Sequence, residues 1–130
     1  MVNMLIVEDD LDLMAFYCAY FEPYNAEGKI DNLLLARSVE SALKLLENYP
    51  VNILISDRNL TPDGYTGDDL VTALRLFDPY STRILASSDF SFDHGFHKFG
   101  DGTIYFPKPI DPDLLIYIVE KEINRHINGK

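Results

Sequence analysis

The stretch Met4–Asp10, MLIVEDD, runs four apolar residues straight into three carboxylates. Met4 to Val7 do not alternate with polar residues, so they read as a strand buried on both faces, the mark of a parallel sheet covered by helices. Glu8, Asp9 and Asp10 then stand at the carboxyl end of that strand. The fold class and the search for a site both start from this junction.

Outward from it, short apolar runs rich in branched residues alternate with stretches of helical period, giving five predicted strand–helix units. The first strand covers about Val2 to Val7. Asp10 is placed to cap a helix with an apolar side of Leu11, Met14, Tyr17, Cys18 and Phe21, and Pro23 is expected to close it. IDNLLLA is the second strand. Ser38 caps VESALKLLENY, whose Val39, Ala42, Leu43 and Leu46 share one face. Pro50 leads into VNILIS, with Asp57 at its carboxyl end, and a turn-rich NLTPDGYTG precedes a third helix near Asp68 to Phe77. RILAS and TIYF are the last two strands. A final helix from Asp113 to about Ile127 turns Leu115, Ile116, Val119 and Ile123 inward. The fourth helix falls on DFSFDHGFHKFGDG, where glycines and aromatics weaken helix propensity, so it is expected to be short, irregular or mobile.

With 130 residues, 47% of them apolar, the chain fits one domain, 1–130, with its own core. Its 21 acidic against 11 basic side chains give a net charge of -10, which repels phosphate backbones and anionic membranes. Direct nucleic-acid or membrane binding is not expected. The single cysteine, Cys18, reads as a buried thiol in a reducing compartment. The chain enters a strand at once, without a basic leader or a long apolar span, and is expected to be soluble and cytoplasmic.

In an open parallel sheet, ligands collect beyond the carboxyl ends of the strands where the chain order reverses. Glu8 and Asp9 follow the first strand and Asp57 ends the third, so three carboxylates would share a small space and raise one another's pKa. A hard divalent cation relieves that repulsion, and Mg2+ takes one or two protein carboxylates, with water and a phosphate oxygen completing its shell; Mn2+ is the alternative ion. Lys108, between Pro107 and Pro109, reaches the same rim, and Ser87 or Ser88 adds a hydroxyl. The set suits phosphoryl transfer with Asp57 as nucleophile.

IVEDD, ILISD, ILASS and YFPKP, in this order and spacing, resemble the receiver domain of two-component response regulators, of the stand-alone, chemotaxis-regulator-like kind. The resemblance spans nearly the whole chain. It implies a doubly wound α/β domain: a five-stranded parallel sheet in flavodoxin-like order 2-1-3-4-5, helices on both faces, and no output domain. It implies that Asp57 accepts a phosphoryl group from a partner histidine kinase or phosphotransfer protein. Asp9 would bind Mg2+ directly, Glu8 through water, and Asn59 by its backbone carbonyl. Lys108 would contact the phosphoryl oxygens, Ser87 (or Ser88) would move to them, and Tyr105 would turn inward. Asn59 and Asp89 would flank the attacking water and tune dephosphorylation. The altered surface would be the fourth helix, fifth strand and fifth helix, presented to a downstream protein; receivers also dimerise there. The chain would be a signalling phosphoprotein, catalysing only its own phosphorylation and dephosphorylation.

Departures from the pattern lie after the acceptor, where NLTPDGYTGDD is about two residues longer than usual, and in the fourth helix. Phe90, Phe92, Phe96, Phe99, Tyr105 and Phe106 there read mainly as local core filling, with a partner surface as the sharper reading. His94 and His97 read as solvated. One rival is a degenerate receiver that binds partners without phosphorylation. Another is a haloacid-dehalogenase-like phosphatase, opposed by Asn59 where that chemistry needs a carboxyl group. A flavodoxin-like cofactor binder lacks a phosphate loop after the first strand.

Overall fold

A computed structural model describes residues 1–60, 66–89 and 95–129. The elements are β1 (Asn3–Val7), α1 (Leu11–Ala26), β2 (Asn32–Ala36), α2 (Val39–Asn48), β3 (Ile53–Asp57), α3 (Gly67–Phe77), β4 (Thr82–Ser87), β5 (His97–Lys98), β6 (Thr103–Pro107) and α4 (Pro112–Ile127). The sheet order is β2-β1-β3-β4-β6-β5. Its first five members pair in parallel, with β6 as the strand expected at TIYF, so the doubly wound order 2-1-3-4-5 is present.

Among the described residues the strand count is corrected to six. β5 pairs antiparallel with β6, His97 opposite Tyr105 and Lys98 opposite Ile104, within the segment where a fourth helix was expected. The glycines that weaken a helix here permit a hairpin instead. Gly102 takes φ +89°, and its N–H donates to the Phe99 carbonyl at 3.0 Å while the Phe99 N–H donates to Thr103 at 2.9 Å. Phe96 stacks on Phe106 with ring centroids 5.6 Å apart, and Phe99 lies against Tyr105 at 4.5 Å. Of the aromatic set, Phe106 is buried, Phe96 and Tyr105 are half-buried and Phe99 is exposed. His97 is exposed and edges against the Phe99 ring. Phe90, Phe92 and His94 lie outside the described residues, as does the longer turn at Thr61 and Pro62. The described residues contain four helices, α4 being the predicted last one.

Helix starts follow the chemistry of the caps. The Asp10 carboxylate accepts from the Asp12 and Leu13 amides at 2.9 and 3.2 Å, Ser38 accepts from Ser41 at 3.1 Å, and Asp111 accepts from Asp113 at 3.1 Å. Two expectations for α1 are corrected. The helix continues through Pro23 to Ala26, because Ala19 and Pro23 are both exposed and the carbonyl that lacks an amide partner faces solvent. Leu11, in the first turn, is 62% exposed, and Cys18 is half-buried; the inward row is Met14, Tyr17 and Phe21.

Helices cover both faces of the sheet. Met4, Ile6, Ile53, Ile55, Ile104 and Phe106 meet α1 and α4, while Leu5, Val7, Leu54 and Leu85 meet α2 and α3. Each fully buried large side chain contributes roughly 1.5–3 kcal/mol over its exposed state. No helix among the described residues is long and apolar enough to cross a membrane.

Candidate functional site

Side chains alternate along a strand, and this alternation sorts the site residues. Glu8 continues the row Met4–Ile6, Asp57 the row Ile53–Ile55, and Lys108 the row Ile104–Phe106, all towards α1 and α4. Ligand oxygens of Glu8, Asp9 and Asp57 lie within 4.8 Å of one another. Lys108 Nζ is 3.0 Å from Asp57 Oδ1 and 3.7 Å from Glu8 Oε1. The expected carboxylates and lysine are therefore brought together at the carboxyl edge of the central strands.

Glu8 and Asp57 are both buried, Glu8 the more deeply at 1% exposed. Burial pushes the Glu8 carboxyl up to about 7, against the Asp10 amide and the Lys108 ammonium, while Asp57 and Asp9 add to the rise. Its Oε2 accepts the Asp10 N–H at 3.2 Å, but its Oε1 has no hydrogen-bond partner among the described residues. A buried carboxylate oxygen without a hydrogen-bond donor is costly, and Lys108 stands 3.7 Å from it, beyond hydrogen-bond range. An all-oxygen donor set of three carboxylates, one of them with a buried oxygen so placed, fits a hard divalent cation such as Mg2+.

Ser87 and Tyr105 fall on the opposite side of the sheet. Leu85 lies opposite Tyr105 and Ser87 opposite Pro107, so the Ser87 and Tyr105 side chains are two residues apart in register, on the same face of adjacent strands. Ser87 is buried and its Oγ accepts the Asp89 N–H at 3.0 Å, whereas Ser88 is exposed. Tyr105 is half-buried against the α2/α3 core, and burial followed by the charges of Asp68 and Asp101 raises its hydroxyl pKa. Asn59 is exposed just past β3, and Asp89 lies 4.0 Å from Arg58 Nη1.

Two residues near the site were not singled out from the sequence. Arg58 bridges Asp68 at 3.0 Å and Asp89, tying the segment after Asp57 to the segment after Ser87. Its position next to Asp57 was the available signal. Tyr17 is 1% exposed on the α1 face, and its hydroxyl has no hydrogen-bond partner among the described residues. A tyrosine where a helix needs only an apolar ring was the signal there. A groove of about 530 Å3 opens beside Lys108, lined by Leu13, Phe16, Ser88, Pro109 and Ile110. A larger hollow, about 640 Å3, lies by Tyr49, Leu74 and Phe77, away from the carboxylates.

No family model and no curated protein sequence matches the chain. Solved structures do, several of them described as receiver domains. A two-component transcriptional regulator AraC from Clostridium phytofermentans ISDg is 20% identical with a TM-score of 0.76 over 100% of both chains. A response regulator receiver domain protein from Clostridium thermocellum is 17% identical, with a TM-score of 0.76 over 100% of both. The signal receiver domain of an HD domain-containing protein from Pseudomonas fluorescens Pf-5 is 22% identical, with a TM-score of 0.72 over 98% of this chain and 90% of that one. The fold is that of response-regulator receiver domains.

Proposed function

We propose that the chain is a phosphoacceptor response regulator, with Asp57 as the acceptor. The observation that carries this reading is a buried strand-end aspartate 3.0 Å from Lys108 Nζ, with two further carboxylates within 4.8 Å, on a receiver fold. Asp57 attacks the phosphorus of a phosphohistidine on a sensor kinase or phosphotransfer protein. The P–N bond breaks as the O–P bond forms, and the partner's imidazole leaves with the electron pair and gains a proton from solvent. The apolar groove beside Lys108 suits the approach of such a partner.

Glu8, Asp9, Asp57 and the Asn59 carbonyl would hold Mg2+, or Mn2+ in its place. When bound, the ion supplies charge neutralisation for the phosphoryl oxygens. Lys108 supplies a second positive charge to the same oxygens. The Ser87 hydroxyl donates to the phosphoryl group, and Tyr105, two residues away in register on the same face, follows into the space it leaves. Burial of Ser87 favours it over the exposed Ser88 for this role. The aspartyl phosphate thereby shifts an existing equilibrium of the surface around β5, β6 and α4. That surface meets a downstream protein or a second copy. The domain acts in the cytoplasm and catalyses only its own phosphorylation and dephosphorylation.

Incubation with Mg2+ and acetyl phosphate tests the reading by intact mass. Wild type gains one phosphoryl group, Asp57→Asn gains none, and chelation of Mg2+ abolishes the gain. No modification of wild type would overturn the reading in favour of a phosphorylation-independent binding module.

Asn59 and Asp89 set the lifetime of the modified state by orienting water. Replacing both with leucine is expected to slow loss of the phosphoryl group roughly tenfold, about 1.4 kcal/mol on the barrier. The decay of the phosphorylated mass after removal of donor measures it, and an unchanged rate would refute the assignment.

A further inference from the structure

Two buried side-chain oxygens lack a hydrogen-bond partner among the described residues, Glu8 Oε1 and the Tyr17 hydroxyl. Both residues are 1% exposed. Both lie on the side of the sheet covered by α1 and α4, Tyr17 from the helix and Glu8 as the next residue in the strand row Met4–Ile6. Burial, and after it the charges of Glu8 and Asp57, push the Tyr17 hydroxyl pKa up.

Packing does not account for the hydroxyl. The ring sits in the apolar cluster with Met14 and Phe21, where phenylalanine would supply the same contacts without burying a polar group. A phenolic O–H beneath a carboxylate has a use when that carboxylate must be ionised and aimed. Glu8 has the greater need of aiming, because a ligand acting through water has no direct bond to orient it.

We propose that Tyr17 is a positioning residue for the cation site: its hydroxyl donates through one water to Glu8 Oε1 and holds that carboxylate towards the ion. Glu8 is then fixed on three sides, by the Asp10 amide, the Lys108 ammonium and the Tyr17 phenol. This rests on the phosphoacceptor reading, in which the carboxylates bind Mg2+.

Calorimetric titration of Mg2+ into wild type, Tyr17→Phe, Glu8→Gln and the double variant tests it. Tyr17→Phe is expected to weaken Mg2+ binding roughly tenfold, the lower end of what loss of an outer partner of a metal ligand costs. Its melting temperature should hold or rise, since the ring is kept and a buried hydroxyl removed. In the Glu8→Gln background Tyr17→Phe should cause no further loss. With tyrosine labelled at 13Cζ, the resonance missing from Tyr17→Phe should move when Mg2+ is added to wild type, a response that a packing role would not produce. Wild-type affinity in Tyr17→Phe, or an equal loss in the Glu8→Gln background, would overturn the inference. If wild type is phosphorylated normally and either result is found, this inference alone falls. If wild type takes up neither Mg2+ nor phosphoryl, the phosphoacceptor reading falls with it.

Discussion

Without divalent cations the protein is expected to lose stability as pH rises from 5 to 8, and Glu8→Gln is expected to remove most of that loss. The carboxyl of Glu8 stands at about 7 in the folded chain, against an ordinary value of 4.5, with burial as the main cause. Below the ordinary value the residue is protonated folded or unfolded, and its contribution to stability is fully present. Between the two values the unfolded chain releases the proton that the folded chain retains, so stability falls with pH and the contribution is gone above about 7. A displacement of this size corresponds to about 3 kcal/mol, or roughly 10 °C in melting temperature for a domain of this length. Thermal scans in a chelator at pH 5 and pH 8 give the change for wild type, and the same pair on Glu8→Gln isolates this residue from other titrating groups. Saturating Mg2+ should raise the wild-type melting temperature more at pH 8 than at pH 5, because the ion needs the ionised form. Equal slopes for wild type and Glu8→Gln would show that the burial of Glu8 does not govern the trend.

Gly67→Ala should be the most damaging single-methyl change in the described chain. A Cβ built at this position meets the Asp57 carbonyl oxygen at 2.2 Å, Leu85 Cδ1 at 2.6 Å and Ser56 Oγ at 2.9 Å. The first contact is backbone and cannot turn aside. To relieve it α3 must move away from the end of β3, weakening the 2.8 Å bond from the Gly67 N–H to the Arg58 carbonyl. A loss of about 3 kcal/mol or more is expected, at or above the upper end of ordinary overpacking. The displaced backbone belongs to Asp57, so phosphoryl uptake should slow under conditions where the variant is still folded. Gly100→Ala is the control, since nothing lies within 4 Å of its added Cβ and the change should be near neutral. Urea unfolding measures the stability difference, and a loss under 1 kcal/mol at Gly67 would refute the close approach.

Local chemistry made much of this molecule legible. Asp10 and Ser38 cap helices as their side chains dictate, and the uninterrupted apolar runs of β1, β3 and β4 announce strands buried on both faces. The gathering of Glu8, Asp9, Asp57 and Lys108 followed from strand ends alone, because a parallel sheet brings those ends to one edge. Pro23 misled because its effect depends on which carbonyl is left bare, and that depends on which side of α1 faces water. The hairpin at β5 was hidden for a related reason. Two residues of strand have no periodicity to read, and their pairing is fixed by Phe96 and Phe99 finding Phe106 and Tyr105 across the chain. Arg83 shows the same limit from the polar side. It is fully buried in β4, and its donors are met by Ser81, Thr103 and the Asp101 carbonyl, partners that only the tertiary structure supplies.

The alternation that sends Lys108 to the α1 side and Tyr105 to the α3 side makes β6 a counting device. Lys108 is three positions after Tyr105, an odd number, so charge and ring emerge on opposite sides of one strand. Loss or gain of a single codon between them would exchange the sides, carrying the ammonium away from Asp57 while leaving composition and hydrophobicity almost untouched. Length changes in the turns between elements carry no such parity. In a library of insertions and deletions, the interval from Tyr105 to Lys108 should therefore behave like a reading frame of period two, while neighbouring loops drift in length.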